Sequence, residues 1–340
     1  MIQHQLHLDS FDFEAGGHLD GVDVVFHTSK KSYHKDDRVI WICHALTANS
    51  DVEDWWPQLV GPDKFIDSEK YFVVCVNMLC SPYGSSGPAS VNPATGKPFK
   101  FDFPATTVRD MIKASIAVRK HLGIDSVDLL IGSSIGGFQA IEWAVTEPEI
   151  FKNAIFIATA PRISAWLSAQ AEAQRMALEA DQTFRNSEGL EGGANGLKCA
   201  RAQALITYRC YDGYRLTQSE DDQDVLFAGR AASYERYQGE KLVRRNFDAY
   251  SYYYLCNALD SHNVGRNRGG VKEALGRISA HTVVVAVDSD GIFPPSETES
   301  WYKAIPDVKY HVIGSAFGHD GFLLENKQLM DIFKPILCKF

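Results

Sequence analysis

The chain lacks most of the features that would settle its class at once. Its seven cysteines, Cys43, Cys75, Cys80, Cys199, Cys210, Cys256 and Cys338, include no Cys-x-x-Cys pair, and their number is odd. The expectation is therefore reduced, mostly buried thiols in a cytoplasm rather than a cysteine zinc site or a disulfide framework. No lysine/arginine block occurs, and the formal net charge is -9, so nucleic acid and anionic membrane are set aside as partners. No apolar run reaches membrane-spanning length. The polar, acidic start MIQHQLHLDSFDFE has neither the basic residues nor the apolar run of a secretory signal. No G-x-x-x-x-G-K-[ST] phosphate loop is present, and the acidic residues lack ligand spacing, so neither a metal nor a bound cofactor is expected. Repeats and low-complexity tracts are also missing.

What remains is an ordinary globular composition. Of 340 residues, 45% are hydrophobic and 23% charged, which suits one large domain with an insertion, or two domains. Short apolar runs with strand character alternate with amphipathic ones. Residues 5–27 read as a β-hairpin, Phe11 and Phe13 leading out and Val22–Phe26 returning. Arg38–Cys43, Tyr71–Leu79, Val127–Ile131, Asn153–Thr159, His281–Val287 and Lys309–Ile313 read as strands. Thr107–Leu122 reads as an amphipathic helix stopped by Gly123, and Gly321–Gln328 opens a closing helix. The long segment CSPYGSSGPASVNPATGKPFKFDFP reads as an ordered functional loop from its aromatic and proline content. This alternation implies a mostly parallel, doubly wound α/β sheet. Residues 161–275 differ: they carry helical periodicity, with SAWLSAQAEAQRMALEAD and LKCARAQALITYRCY as the clearest helices and no convincing strand. The expected organisation is a core of residues 1–160 and 276–340 with a helical lid, 161–275, over the carboxyl ends of the strands.

One stretch carries chemistry. In VDLLIGSSIGGFQAIEWA, an apolar run is followed by Gly132-Ser133-Ser134-Ile135-Gly136, and then by Phe138, Ala140, Ile141 and Ala144 at helical spacing. Strand, glycine-rich turn and helix are the context of a G-x-S-x-G nucleophile elbow, which would lift the Ser134 hydroxyl to the sheet edge. The Ile135 N–H then opens a helix, where an oxyanion is stabilised. A serine nucleophile needs a base, and the base an orienting acid. In chain order these are Asp288 or Asp290 in VDSDGIFPP and His319 in GSAFGHDGF, each just past a strand; Asp290, further out on its loop, is preferred. The second oxyanion donor falls to the Leu46 N–H, in the His44-Ala45-Leu46 loop after an earlier strand.

Taken together, CHALTANS, WWPQLVGP, YFVVCVNML, GPASVNPATGKPF, FPATTVRDMIKA, GSSIGGFQAIEWA, QRMALEAD, GLKCARAQALITYR, SDGIFPP and GHDGFLLE resemble the homoserine O-acetyltransferases of methionine biosynthesis, members of the α/β-hydrolase fold. The resemblance implies Ser134 as nucleophile, Asp290 as acid, His319 as base, and oxyanion donors at Leu46 and Ile135. It also implies acceptor contacts at Arg201, Tyr208 and Asp320, acetyl-CoA as co-substrate, L-homoserine as acceptor and a homodimer joined through the helical insertion. Two departures border the implied acyl and acceptor pockets. Leu79-Cys80-Ser81-Pro82 stands where the family has Leu-Gly-Gly-Cys, and the insertion is short around Ser187–Gly196. The elbow also reads Gly-Ser-Ser-Ile-Gly-Gly against the family's Gly-Gly-Ser-Met-Gly-Gly. Succinyl transfer to homoserine, or acyl transfer to serine, uses the same residues. A plain esterase or thioesterase would need no opposite charges such as Arg201 and Asp320, and a non-catalytic binding module would need no ordered Ser, Asp and His.

Overall fold

Eight strands, most of them the apolar runs, line up in one sheet. The computed structural model describes residues 1–227 and 229–338. The strands are β1 (Ile2–Leu8), β2 (Val22–Thr28), β3 (Val39–Cys43), β4 (Phe72–Val76), β5 (Val127–Ser133), β6 (Phe151–Ile157), β7 (His281–Val287) and β8 (Val308–Ile313). Their order across the sheet is β1-β2-β4-β3-β5-β6-β7-β8. The pairs β1–β2 and β2–β4 are antiparallel, and the others are parallel. Every residue of β3, β4 and β5 is buried, as expected of central strands covered on both faces. Trp41, Phe138 and Trp143 belong to the core on one face; Ile42, Leu129 and Phe333 belong to the core on the other.

The helices that support the site begin with α1 (Val108–His121) and α2 (Ile135–Thr146). Thr107 caps α1 by accepting from the Asp110 N–H, while the Asp110 carboxylate accepts from the Thr107 N–H, a complete capping box. Between β6 and β7 the chain forms α3 (Ala165–Glu179), α4 (Ala194–Tyr208), α5 (Tyr211–Gln218), α6 (Arg230–Arg244) and α7 (Ala249–Ser261). The closing helix α8 spans Asn326–Leu337, after a short turn of helix at Gly321–Leu324. Among the described residues, no helix is long and apolar enough to cross a membrane.

The hairpin differs from its reading in the sequence. Its outgoing strand is Ile2–Leu8, while Phe11 and Phe13 sit in the connection and are buried, with Phe13 edge-on to Phe103. β1 is mostly exposed, so pairing with β2 rather than an apolar face defines it, and apolar pattern could not find it. The long loop after β4 is tied to β2. Ser86 N–H donates to the Asp23 carbonyl at 2.8 Å, and Ser85 Oγ accepts from Val25 N–H at 3.0 Å.

Candidate active site

The turn after β5 forces Ser134 into a conformation that side chains rarely adopt, φ 55° and ψ -128°. Such a residue costs about 1–3 kcal/mol and persists only where its surroundings over-determine it. Here Ser134 N–H donates to Ile157 O at 3.1 Å, and Thr159 Oγ1 donates to Ser134 O at 2.8 Å. Glycine is required on both sides of the serine. A Cβ on Gly132 would stand 2.3 Å from Gly136 O, and one on Gly136 would stand 2.1 Å from Cys43 O. The second contact shows why the elbow needs Gly136: α2 starts directly against the end of β3.

That close approach brings two backbone donors near the serine. Ile135 is the first residue of α2, so its N–H has no partner within the helix. Leu46 lies in the loop that follows β3 and lines the same cavity as Ser134. His44 braces that loop. Its Nε2 accepts from Met78 N–H at 3.1 Å, which leaves the proton on Nδ1 to donate to Ala45 O at 2.9 Å. Complete burial pushes His44 down to about 4, so the ring stays neutral and keeps both bonds at working pH.

The acid and base come from the ends of β7 and β8. His319 Nδ1 donates to Asp290 Oδ2 at 2.7 Å, with both side chains essentially out of solvent. Asp290 Oδ1 accepts from Ile292 N–H at 2.7 Å and Phe293 N–H at 3.0 Å. Burial opposes the charge on both groups, but each outweighs it for the other: His319 lies above its ordinary value and Asp290 below. Asp288, the other aspartate in the motif, instead accepts from Ser315 N–H at 2.9 Å and fixes the loop leading to His319.

A cavity of about 90 Å³ joins these parts, lined by Leu46, Ser134, Arg201, Tyr208, His319 and Asp320 together with Ala45, Thr47, Phe322 and Leu323. Ser134 and His319 face this cavity without a hydrogen bond to each other. Arg201 lies over the Tyr208 ring, 5.5 Å from its centroid, and its Nη1 is buried without a partner. Burial pushes the Tyr208 hydroxyl up to about 12, against the pull of Arg201, so it stays protonated. Asp320 does not stand alone as a counter-charge: Arg209 Nε lies 2.5 Å from its Oδ2.

Three residues in these contacts carried no signal in the sequence. His44 read as a loop residue, Arg209 as the residue after Tyr208, and Trp166 as part of an amphipathic helix. Trp166 Nε1 donates to Gly291 O at 2.7 Å, beside Asp290. Packing against the helices after β6 reveals Arg209 and Trp166, and the meeting of the β3 and β4 ends reveals His44.

A family model described as "alpha/beta hydrolase fold" matches residues 38–325. Esterase E22 superposes with a TM-score of 0.88, covering 99% of each chain at 23% identity. Homoserine O-acetyltransferase from Bacillus anthracis superposes with 0.86, covering 97% of this chain and 96% of that one at 24% identity. An esterase and a transferase thus match almost equally, and at these identities they establish the fold alone. Sequence separates them. Homoserine O-acetyltransferase of Cyclobacterium marinum is 40% identical over 328 residues, covering 96% of this chain and 92% of that protein. That of Trichormus variabilis is 40% identical over 317 residues, covering 93% of this chain and 88% of that protein. With a nucleophile elbow, an Asp–His pair at the sheet edge and near full-length kinship to these enzymes, this chain belongs to the homoserine O-acetyltransferase family of α/β hydrolases.

Proposed function

We propose that the protein moves an acetyl group from acetyl-CoA to the hydroxyl of L-homoserine through an acyl-Ser134 intermediate. His319 Nε2 takes the Ser134 proton as Oγ attacks the thioester carbonyl. The N–H groups of Leu46 and Ile135 hold the oxyanion. The C–S bond breaks, and the imidazolium returns its proton to the leaving CoA thiolate. The homoserine hydroxyl then loses its proton to His319 and attacks the acyl-serine carbonyl. As the C–O bond to Ser134 breaks, the proton passes back to Oγ. Asp290 holds the ring and stabilises the imidazolium in both halves.

The observation that carries this reading is the cavity's charge pattern. A hydrolase using water has no need for a buried, unpartnered guanidinium and a carboxylate beside its base. Arg201 suits the acceptor's carboxylate, since its planar fork can hold two oxygens. Tyr208 adds a hydroxyl, and Asp320 suits the ammonium. A succinyl donor would bring a second carboxylate into a cavity of about 90 Å³ whose wall already carries the Asp320 carboxylate. This favours the two-carbon acyl group.

The same proposal treats residues 161–275 as a lid that keeps water from the acyl-serine. It includes a homodimer through that insertion, where Tyr211, Leu226, Phe227 and Tyr237 are exposed. A cytoplasmic location is part of it, in keeping with seven unpaired cysteines. The test offers acetyl-CoA and succinyl-CoA against homoserine, serine and no acceptor, with products and intact protein read by mass spectrometry. One acetyl group on Ser134 without acceptor, and O-acetylhomoserine as the main product with it, are expected. Turnover independent of any acceptor would make the protein an esterase.

A further inference from the structure

The end of α4 is built against the loop that carries His319. Gly318 has φ +64°, and a Cβ there would stand 2.8 Å from the Arg209 carbonyl carbon and 2.9 Å from Tyr208 O. Cys210 Sγ donates to Ala316 O at 2.9 Å. A Cβ on Gly213 would meet Ala316 O at 2.8 Å. The two segments therefore touch backbone to backbone, which fixes the root of the Arg209 side chain relative to Asp320. Their contact follows: Arg209 Nε lies 2.5 Å from Asp320 Oδ2, with the side chains 23% and 15% exposed.

Arg201 lines the cavity, whereas Arg209 lies outside its lining, against Asp320. Arg201 has a buried nitrogen with no partner, ready for an incoming anion. Arg209 stands in ion-pair contact with Asp320, although its Nε is itself buried without a hydrogen bond. The ion pair is closest at Oδ2, and Oδ1 accepts no hydrogen bond among the described residues. A carboxylate next to the base can, if left alone, turn toward the His319 ring. That would withdraw from the cavity wall the acidic group that can receive an ammonium.

We propose that Arg209 is a positioning residue for amino-acid recognition: it pairs with one oxygen of Asp320 and so presents the other to the acceptor's ammonium group. This rests on the reading of Arg201 and Asp320 as the acceptor pocket, and it adds a third, indirect member. It makes selection of an α-amino acid depend on a residue that touches no substrate. The pairing is bidentate in logic rather than in geometry, one carboxylate bridging a fixed guanidinium and a mobile ammonium.

The test compares homoserine with 4-hydroxybutyrate, which keeps the hydroxyl and the carboxylate but lacks the ammonium. Arg209→Gln and Arg209→Lys are assayed with both acceptors, and formation of acyl-Ser134 from acetyl-CoA is timed separately. In Arg209→Gln the KM for homoserine should rise at least tenfold, with kcat changed far less. The preference for homoserine over 4-hydroxybutyrate in kcat/KM should fall at least tenfold, and Arg209→Lys should restore part of it. An equal loss for both acceptors, or an unchanged preference, would make Arg209 a structural prop and overturn the inference. The Lys variant guards against a folding defect in the Gln variant. If the wild-type protein itself forms no product from homoserine, the proposed function falls. If it does, and only the preference fails to move, this inference falls alone.

Discussion

The sheet core and the helical insertion divide the work unequally. β3, β4 and β5 are buried at every residue, and the elbow between β5 and α2 is packed so closely that a methyl group has no room. The insertion is looser: α5 and α6 bury few residues, and Tyr211, Leu226 and Phe227 lie more than four-fifths exposed. The proposed nucleophile, acid, base and both oxyanion donors come from the core. The residues suited to gripping an amino acid, Arg201 and Tyr208, come from the insertion. Rigid packing suits groups that must meet a transition state to within a fraction of an ångström. A cover that selects and releases substrate is drawn from the less tightly packed part. The comparison can be broken: core substitutions should damage both half-reactions, and insertion substitutions chiefly the second.

The largest expected effect lies in the core. Asp290→Asn removes the group that orients His319 and stabilises its cation, and should lower kcat by about 10⁴. Both acylation by acetyl-CoA and transfer to homoserine should fall. A pH profile adds a sign. Transfer needs neutral His319, and Asp290 holds the ring above its ordinary value despite burial. The acid limb of the wild-type profile should therefore lie above about 6.5. Without the Asp290 charge, burial is opposed only by the more weakly acting Asp320, so the limb should move to lower pH. Glu297→Gln is the control, because burial and the nearby Asp290 hold Glu297 up to about 7, in the same range. A limb that vanishes in that variant and stays put in Asp290→Asn would reassign it.

Next comes the seam between the two regions. Glu142 on α2 is 2% exposed, accepts from Arg268 Nη2 at 2.6 Å and has Arg109 Nε in ion-pair range at 3.2 Å. Arg268 lies on the chain returning from the insertion. Glu142→Gln would leave two guanidinium groups facing a neutral amide, at a cost of about 3–5 kcal/mol. Chemical denaturation should show it. Activity per folded molecule, and the ratio of the two half-reactions, should hardly change. A selective loss of either half-reaction would mean that this seam is part of the site.

The core was more legible in the sequence than the cover, for physical reasons. Buried parallel strands write themselves as unbroken apolar runs, and Ser134 announces itself through the glycines its strained turn needs. Asp290 and His319 could be named because chain order in this fold fixes which loops meet. Their pairing rests on the register of β7 with β8, which local pattern does not encode. Arg201 could be assigned a role only by resemblance, since an arginine on an amphipathic helix usually faces water. Arg209 stayed hidden because its meaning depends on Gly318, more than a hundred residues away, allowing backbone contact. His44 was read as a loop residue because nothing local says that its ring bridges two strand ends. β1 was misplaced because it is exposed, and pairing leaves no apolar trace.

The third prediction moves into the insertion. Arg201→Ala should weaken transfer to homoserine by about 2–5 kcal/mol, much of it from leaving the acceptor's carboxylate without a partner. Formation of acyl-Ser134 should be nearly normal, since the thioester needs no such contact. Rapid-quench mass spectrometry separates the two. An acyl-enzyme that no longer forms would place Arg201 in the first half-reaction and erase the division between core and insertion.

The smallest effect is the most discriminating, because it concerns a residue of the insertion that touches the core. Trp166 opens α3, is 60% exposed, and donates from Nε1 to Gly291 O at 2.7 Å. Gly291 follows Asp290, whose Oδ1 is fixed by the next two backbone N–H groups. Trp166→Phe keeps most of the ring and removes one hydrogen bond from that loop. A single neutral bond is worth about 1 kcal/mol, so the loss should be no more than about fivefold. Its distribution is the point. If the insertion acts only by gripping the acceptor, the loss falls on transfer to homoserine alone. If the bond helps to hold the Asp290 loop, acylation and transfer should slow together, by equal factors, with the preference for homoserine unchanged. The second outcome is expected, because the bond ends on the backbone beside the catalytic acid and on nothing that meets the acceptor. It would show that the insertion steadies the core's chemistry through this one contact while leaving selection to Arg201 and the Arg209–Asp320 pair.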